Sequence, residues 1–124
     1  MLRRTLLNLS ATGSTRRAIG TCRSGSTFPG RAAERRLPFD HICSADQYLI
    51  TFIGGDHMIF SGRARLPGDG AKDSMFQGLI CIATTAFWDA YLKGDRRAMT
   101  FLADGGLQKV LGKDAAFEKK LKMR

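Results

Sequence analysis

The sequence predicts an α/β fold, and three observations carry that prediction. Tyr48-Leu49-Ile50-Thr51-Phe52-Ile53 is an unbroken run of β-branched, aromatic and aliphatic residues that closes on Gly54-Gly55. A stripe of apolar residues at spacings of three and four runs from about residue 72 to 92. Between the two lies a stretch punctuated by glycine, proline and charge. At 124 residues and 44% hydrophobic, the chain suits one small domain around a single core.

The run at 48–53 reads as a buried strand ending in a tight turn, because such a continuous apolar segment bounded by glycines fits a strand covered on both faces. Residues 62–70 form a loop, set by Gly62, Pro67, Gly68 and Gly70 among charged neighbours. The helix over 72–92 presents Leu79, Ile82, Ala83, Ala86, Phe87, Ala90 and Tyr91 on one side, and Gly94 stops it. Asp95 suits the N-cap of a shorter helix, Arg96–Ala103, which ends at Gly105-Gly106. A final polar helix is expected over Asp114–Lys122, with Lys119, Lys120 and Lys122 as its solvated end. Trp88, beside Phe87 and Tyr91, is expected to pack on the sheet rather than to hold a cofactor.

One strand cannot make a sheet, since both of its edges would be left unpaired. Further strands must come from a partner or a longer parent chain, or a second short strand forms near Phe39–Cys43.

Residues 1–36 differ in texture from the rest. They hold eight arginines, no lysine and one acid, Glu34, for a charge of +7, whereas residues 37–124 carry only +2 of the total of +9. This segment is rich in Ser, Thr and Gly and is expected to be a basic, disordered arm, because it offers little apolar surface to bury. It could serve no specific role, be an artefactual or truncated start, or act in targeting or anion binding. The start resembles a transit peptide or a twin-arginine signal only weakly, since the apolar stretch after Arg3-Arg4 soon meets Ser10, Thr12, Gly13 and Arg16-Arg17. The chain is therefore read as cytoplasmic by default. The balanced charge of 37–124 argues against a specific nucleic-acid interface, and no apolar run reaches the roughly 18–20 residues of a membrane span. Oligomeric state is not encoded in any pattern.

Cys22, Cys43 and Cys81 are odd in number and widely spaced, so they read as free thiols that make no metal site. Cys81, inside an apolar run, is expected to be a buried small hydrophobe.

The chemistry centres on Gly54-Gly55-Asp56-His57-Met58-Ile59-Phe60. An imidazole on a turn at a strand's carboxyl end is exposed enough to move a proton and fixed by the strand behind it, which suits a general base. Met58 and Phe60 would wall it with apolar surface. The plain alternative is a solvated loop histidine with no duty. His41, in Pro38-Phe39-Asp40-His41-Ile42, reads as a structural or surface residue.

The order of strand, GGDHMIFSG, loop and a helix reading TTAFWDAYLKGD resembles the C-terminal end of the α/β-hydrolase superfamily, and most of all its dienelactone-hydrolase-like, chlorophyllase-like and polyester-hydrolase-like members. The resemblance covers about residues 37–124. It implies that this region is a partial hydrolase fold of last strand, histidine loop and long C-terminal helix. It implies that His57 is the triad histidine, that the substrate of a complete enzyme is a small-molecule carboxylic ester, and that no cofactor takes part. The chain departs from the family in having no G-x-S-x-G pentapeptide. Gly13-Ser14-Thr15 and Gly25-Ser26-Thr27 follow no strand. Asp40 and Asp46 precede His57, where family order would put the triad acid, but the strand that should carry that acid is missing, and Asp56 adjoins the histidine too closely to turn to its ring. The expectation is a truncated hydrolase-like chain that is inactive alone. The alternative is a non-catalytic basic protein that binds an anionic surface through its N-terminal arm.

Overall fold

The computed structural model describes residues 5–11, 36–63, 65–66 and 69–122. Its elements are strand β1 (Thr5–Ala11), helix α1 (Leu37–His41), strand β2 (Asp46–Phe52), a 3-10 turn (His57–Phe60), helices α2 (Asp73–Tyr91), α3 (Arg96–Ala103) and α4 (Gly106–Leu111), and strand β3 (Ala115–Lys120). The sheet order is β1-β2-β3. β1 runs parallel to β2, in register from Thr5 opposite Asp46 to Ala11 opposite Phe52. β3 runs antiparallel to β2, from Gln47 opposite Lys120 to Phe52 opposite Ala115. Helices with a mixed three-stranded sheet are compatible with the predicted α/β class.

β2 is the predicted strand, starting two residues earlier and ending one sooner. Its alternate side chains enter two different environments, as the period of two requires. Tyr48, Ile50 and Phe52 face the main core, where they meet Phe76, Ala83, Phe87 and Ala90 of α2, Leu102 of α3 and Leu107 and Leu111 of α4. Phe52 lies edge-on to Phe76 at 5.6 Å between ring centroids, and Tyr48 lies edge-on to Phe87 at 6.3 Å. The Tyr48 hydroxyl shares a 2.8 Å hydrogen bond with that of Tyr91, so its polar end is satisfied where the ring is buried.

The opposite face carries Gln47 and Leu49, both buried, and α1 lies over it. Gln47 Nε2 donates to the carbonyls of Phe39, at 3.4 Å, and Ile42. Phe39 is buried with two cations over its ring: Lys120 Nζ stands 4.7 Å from the ring centroid and the Arg36 guanidinium 5.5 Å. Arg36 also grips Glu118 with both terminal nitrogens, the longer bond being 2.7 Å, and so ties α1 to β3. That contact holds the Glu118 carboxyl below its ordinary range, chiefly through the guanidinium hydrogen bonds.

Four expectations are corrected here. The segment 1–36 is not wholly a disordered arm, since Thr5–Ala11 forms β1 and partly buries Leu7 and Leu9 against the core. Two leucines at a period of two, given a strand edge to pair with, outweigh the arginine-rich composition around them. Residues 12–35 lie outside the described residues. Phe39–Cys43 makes no strand; Leu37–His41 is a helical turn with Pro38 in its first turn, where a missing N–H costs nothing. The expected helix over Asp114–Lys122 is strand β3, because Ala115 and Phe117 on one side and Glu118 on the other each find a surface of the sheet to cover. β2 therefore has a partner on both edges within the chain.

α2 spans Asp73–Tyr91 and α3 spans Arg96–Ala103, and Asp95 caps α3 by accepting from the amides of Arg97 at 2.7 Å and Ala98 at 3.3 Å. The buried stripe of α2 is turned from the predicted one. Phe76 belongs to it, whereas Ile82 is exposed, as are Cys81 and Trp88. Cys81 is thus not a core residue, and Trp88, at 53% exposure, does not pack on the sheet; Phe87 and Tyr91 do. α4 went unpredicted: six residues after a glycine pair are too few to establish a period.

Phe52→Ala should lower stability by about 3–5 kcal/mol, the range for truncating a buried phenylalanine. Ile82→Ser, at a 44% exposed position on α2, should cost far less, about 1 kcal/mol or below. Urea unfolding followed by circular dichroism separates the two.

Candidate functional site

The candidate site is the turn that leaves the carboxyl end of β2. Gly54 takes a φ of +79°, a left-handed conformation that side chains resist, and this swings the chain out of the sheet. At Gly55 a Cβ would come within 2.9 Å of Ile59 Cδ1, so the backbone can approach the core there only without a side chain. Ile59, 1% exposed, is the plug that seats the turn on β2 and α2.

Asp56 closes the turn. Its Oδ1 accepts the Met58 amide at 2.9 Å, as an N-cap does. Ser61 ends it, its amide and hydroxyl both donating to the Met58 carbonyl, at 3.0 and 2.8 Å. His57 is the first residue of the 3-10 turn and is exposed. Of the expected apolar wall, Met58 is half-buried, and Phe60 is partly exposed with its ring edge-on to Phe52 at 6.1 Å.

The acids that precede His57 are engaged elsewhere. Asp46 opens β2, roughly 20 Å from the end that leads to His57 at about 3.3 Å per residue, and it accepts the Lys122 amide at 2.8 Å. Asp40 sits on α1 and pairs with Arg36 at 3.1 Å. Asp56 has both oxygens on Arg65, Oδ2 at 2.7 Å and Oδ1 closer. Among the described residues no carboxylate forms an ion pair with the His57 imidazole. Ser14, Ser26 and Cys22 lie outside the described residues. His41 is exposed at the end of α1, as expected of a surface histidine.

Arg65 and Asp73 are the participants that sequence reading missed. Arg65 Nε stands 2.5 Å from Asp73 Oδ2, so one guanidinium joins the histidine turn to the first turn of α2. The only trace in the sequence is an arginine flanked by two acids across a glycine-rich loop, and no spacing rule marks such a trio. The Asp56 carboxyl is held below the usual carboxylate range, first by the Arg65 hydrogen bonds and with help from the Met58 amide, while its partial burial opposes them.

Among the described residues no cluster of His, Cys, Asp and Glu could hold a metal ion, and no helix is long and apolar enough to cross a membrane. An open groove of about 640 Å³ lies between α2 and α3, lined in part by Cys81, Ile82, Ala86, Ala98 and Phe101. It includes no residue of the histidine turn. Comparison with protein-family models, curated proteins and solved structures gives no match.

A group whose carboxyl is easier to ionise in the folded state stabilises the fold above its unfolded pKa, and that contribution is lost as pH falls through the lowered folded value. Wild-type protein should therefore lose melting temperature as pH drops below about 4. Asp56→Asn, which can still cap the turn, should melt lower at pH 7 and show a flatter acid limb. Melting curves from pH 7 to 2 check both; parallel limbs would contradict the role given to Asp56.

Proposed function

We propose that this chain is the histidine-bearing part of a carboxylic-ester hydrolase fold, in which His57 is the proton-transfer residue, and that the chain is not competent in hydrolysis alone. The observation that carries the reading is the succession of a central buried strand, a glycine turn, an exposed histidine on the turn and a 19-residue helix packed back on the same sheet face. A histidine so placed has a rigid strand behind it and an accessible ring, the two properties a proton shuttle needs.

In the complete reaction a serine hydroxyl attacks the ester carbonyl while His57 takes its proton. His57 then protonates the departing alcohol, and water, activated by the same imidazole, releases the acid. The serine and the carboxylate that orients the imidazole belong to a part of the fold other than the described residues. Without them the histidine has neither a nucleophile to activate nor a partner to fix its tautomer. The acyl and alcohol pockets would be built largely by that same part, so no particular ester is assigned.

Purified chain and a His57→Ala variant, assayed side by side with a p-nitrophenyl ester, should hydrolyse it at the same background rate. Turnover that depends on His57 would refute the claim of incompetence. The hydrolase reading itself is tested by the DNA immediately upstream of this coding sequence. A segment encoding a strand followed by G-x-S-x-G in any reading frame is the expected finding, and a stretch without one counts against the reading.

A further inference from the structure

We propose that Arg65 is the positioning residue of the histidine turn: it locks Asp56 to Asp73 and thereby ties the turn that carries His57 to the first turn of α2. Four observations carry this. Arg65 donates to both Asp56 oxygens through its terminal nitrogens, and its Nε stands 2.5 Å from Asp73 Oδ2 as an ion pair outside hydrogen-bond geometry, so one guanidinium serves two carboxylates in different elements. The three side chains are each only 16–17% exposed, unlike the surface pairs Lys72–Asp114 and Lys93–Asp89, so water competes less for the contact. Asp56 is at once the arginine's partner and the cap of the turn, so whatever fixes its carboxylate fixes the Met58 amide one residue beyond the histidine. Gly70 leaves room for the trio, because a Cβ there would collide with the Asp73 carboxylate and come within 2.8 Å of Arg65 Cδ.

The lock also divides the work of the acids. The Asp56 carboxylate is spent on the turn itself, on the Arg65 guanidinium and the Met58 amide. With Asp56 saturated, the ring of His57 is left for a carboxylate supplied from beyond the described residues. This functional meaning rests on the reading of His57 as a proton-transfer group; the lock itself does not.

The test is nuclear magnetic resonance on the whole chain, reading amide exchange at Met58 and Ile59 together with the ring resonances of His57. In Arg65→Gln the turn amides should exchange about tenfold faster or more, as for a segment that opens locally, and the His57 ring shifts should move toward those of a flexible peptide. Amides of β2 and of the middle of α2 should keep their wild-type protection. Arg65→Lys, a single-point cation that can serve one carboxylate but not both, should restore part of the difference. Asp56→Asn combined with Arg65→Gln should add little to either change alone, because both break the same contact. Unchanged turn exchange and ring shifts in folded Arg65→Gln would overturn the proposal. If that variant does not fold, Asp73→Asn takes its place, since it unties α2 while leaving the Asp56 pair; an unchanged turn there overturns the lock just as plainly. None of these readings uses catalysis, so the lock can fail while the ester-hydrolase reading stands, and the reverse.

Discussion

Burial of β2 on both faces is the constraint on which the rest of this molecule depends. Tyr48, Ile50 and Phe52 need an apolar layer on one side, and Gln47 and Leu49 need cover on the other. α2, α3 and α4 meet the first need and α1 helps meet the second. The two neighbouring strands follow from the same constraint, because a strand shut away from water must pair its backbone groups along both edges. The ends of the chain supply them, β1 from residues 5–11 and β3 from residues 115–120. The polar features of the α1 face are consequences too: the Gln47 amide satisfies carbonyls of α1, and Lys120 and Arg36 both stand over the one aromatic ring that α1 contributes.

Much of the central part of this arrangement is legible in the sequence. β2, the turn at Gly54-Gly55, α2, the Asp95 cap and α3 all rest on local rules that tertiary structure did not override. What is illegible is what depends on distant partners. TLLNLSA becomes a strand because β2 offers an edge forty residues along, and AAFEKK becomes a strand because β2 offers the other. Read locally, alanine, glutamate and lysine favour helix, and the sheet wins because burying Ala115 and stacking Phe117 on Tyr48 at 6.1 Å repays the weaker propensity. Ile82 and Cys81 illustrate a narrower failure. A stripe at spacings of three and four has two edges, and an apolar run that wraps past the buried arc leaves its outlying members in water.

The histidine turn divides in the same way. The position of His57 after a strand and two glycines is local and could be read. The means of holding it is not, since Asp56, Arg65 and Asp73 are separated by nine and eight positions and meet only because the loop folds back on the start of α2. Asp56, too close in sequence to turn to the histidine ring, gives its carboxylate to the guanidinium and to the Met58 amide. The turn is thereby held by contacts that leave the imidazole outside them, which keeps rigidity and accessibility together in one short segment.

The placement of the terminal segments at the two edges of the sheet also governs how this protein can be made. The β2–β3 ladder joins Gln47 to Lys120, across more than half of the chain, and the β1–β2 ladder spans some forty positions. Non-local ladders of this kind close late, because loop entropy is lost before the contacts that offset it can form. On a ribosome, β2 and its apolar side chains emerge well before the residues that cap its second edge. The sheet can be finished only after β3 has been made and has reached β2, and until then β2 carries an unpaired apolar edge that invites self-association.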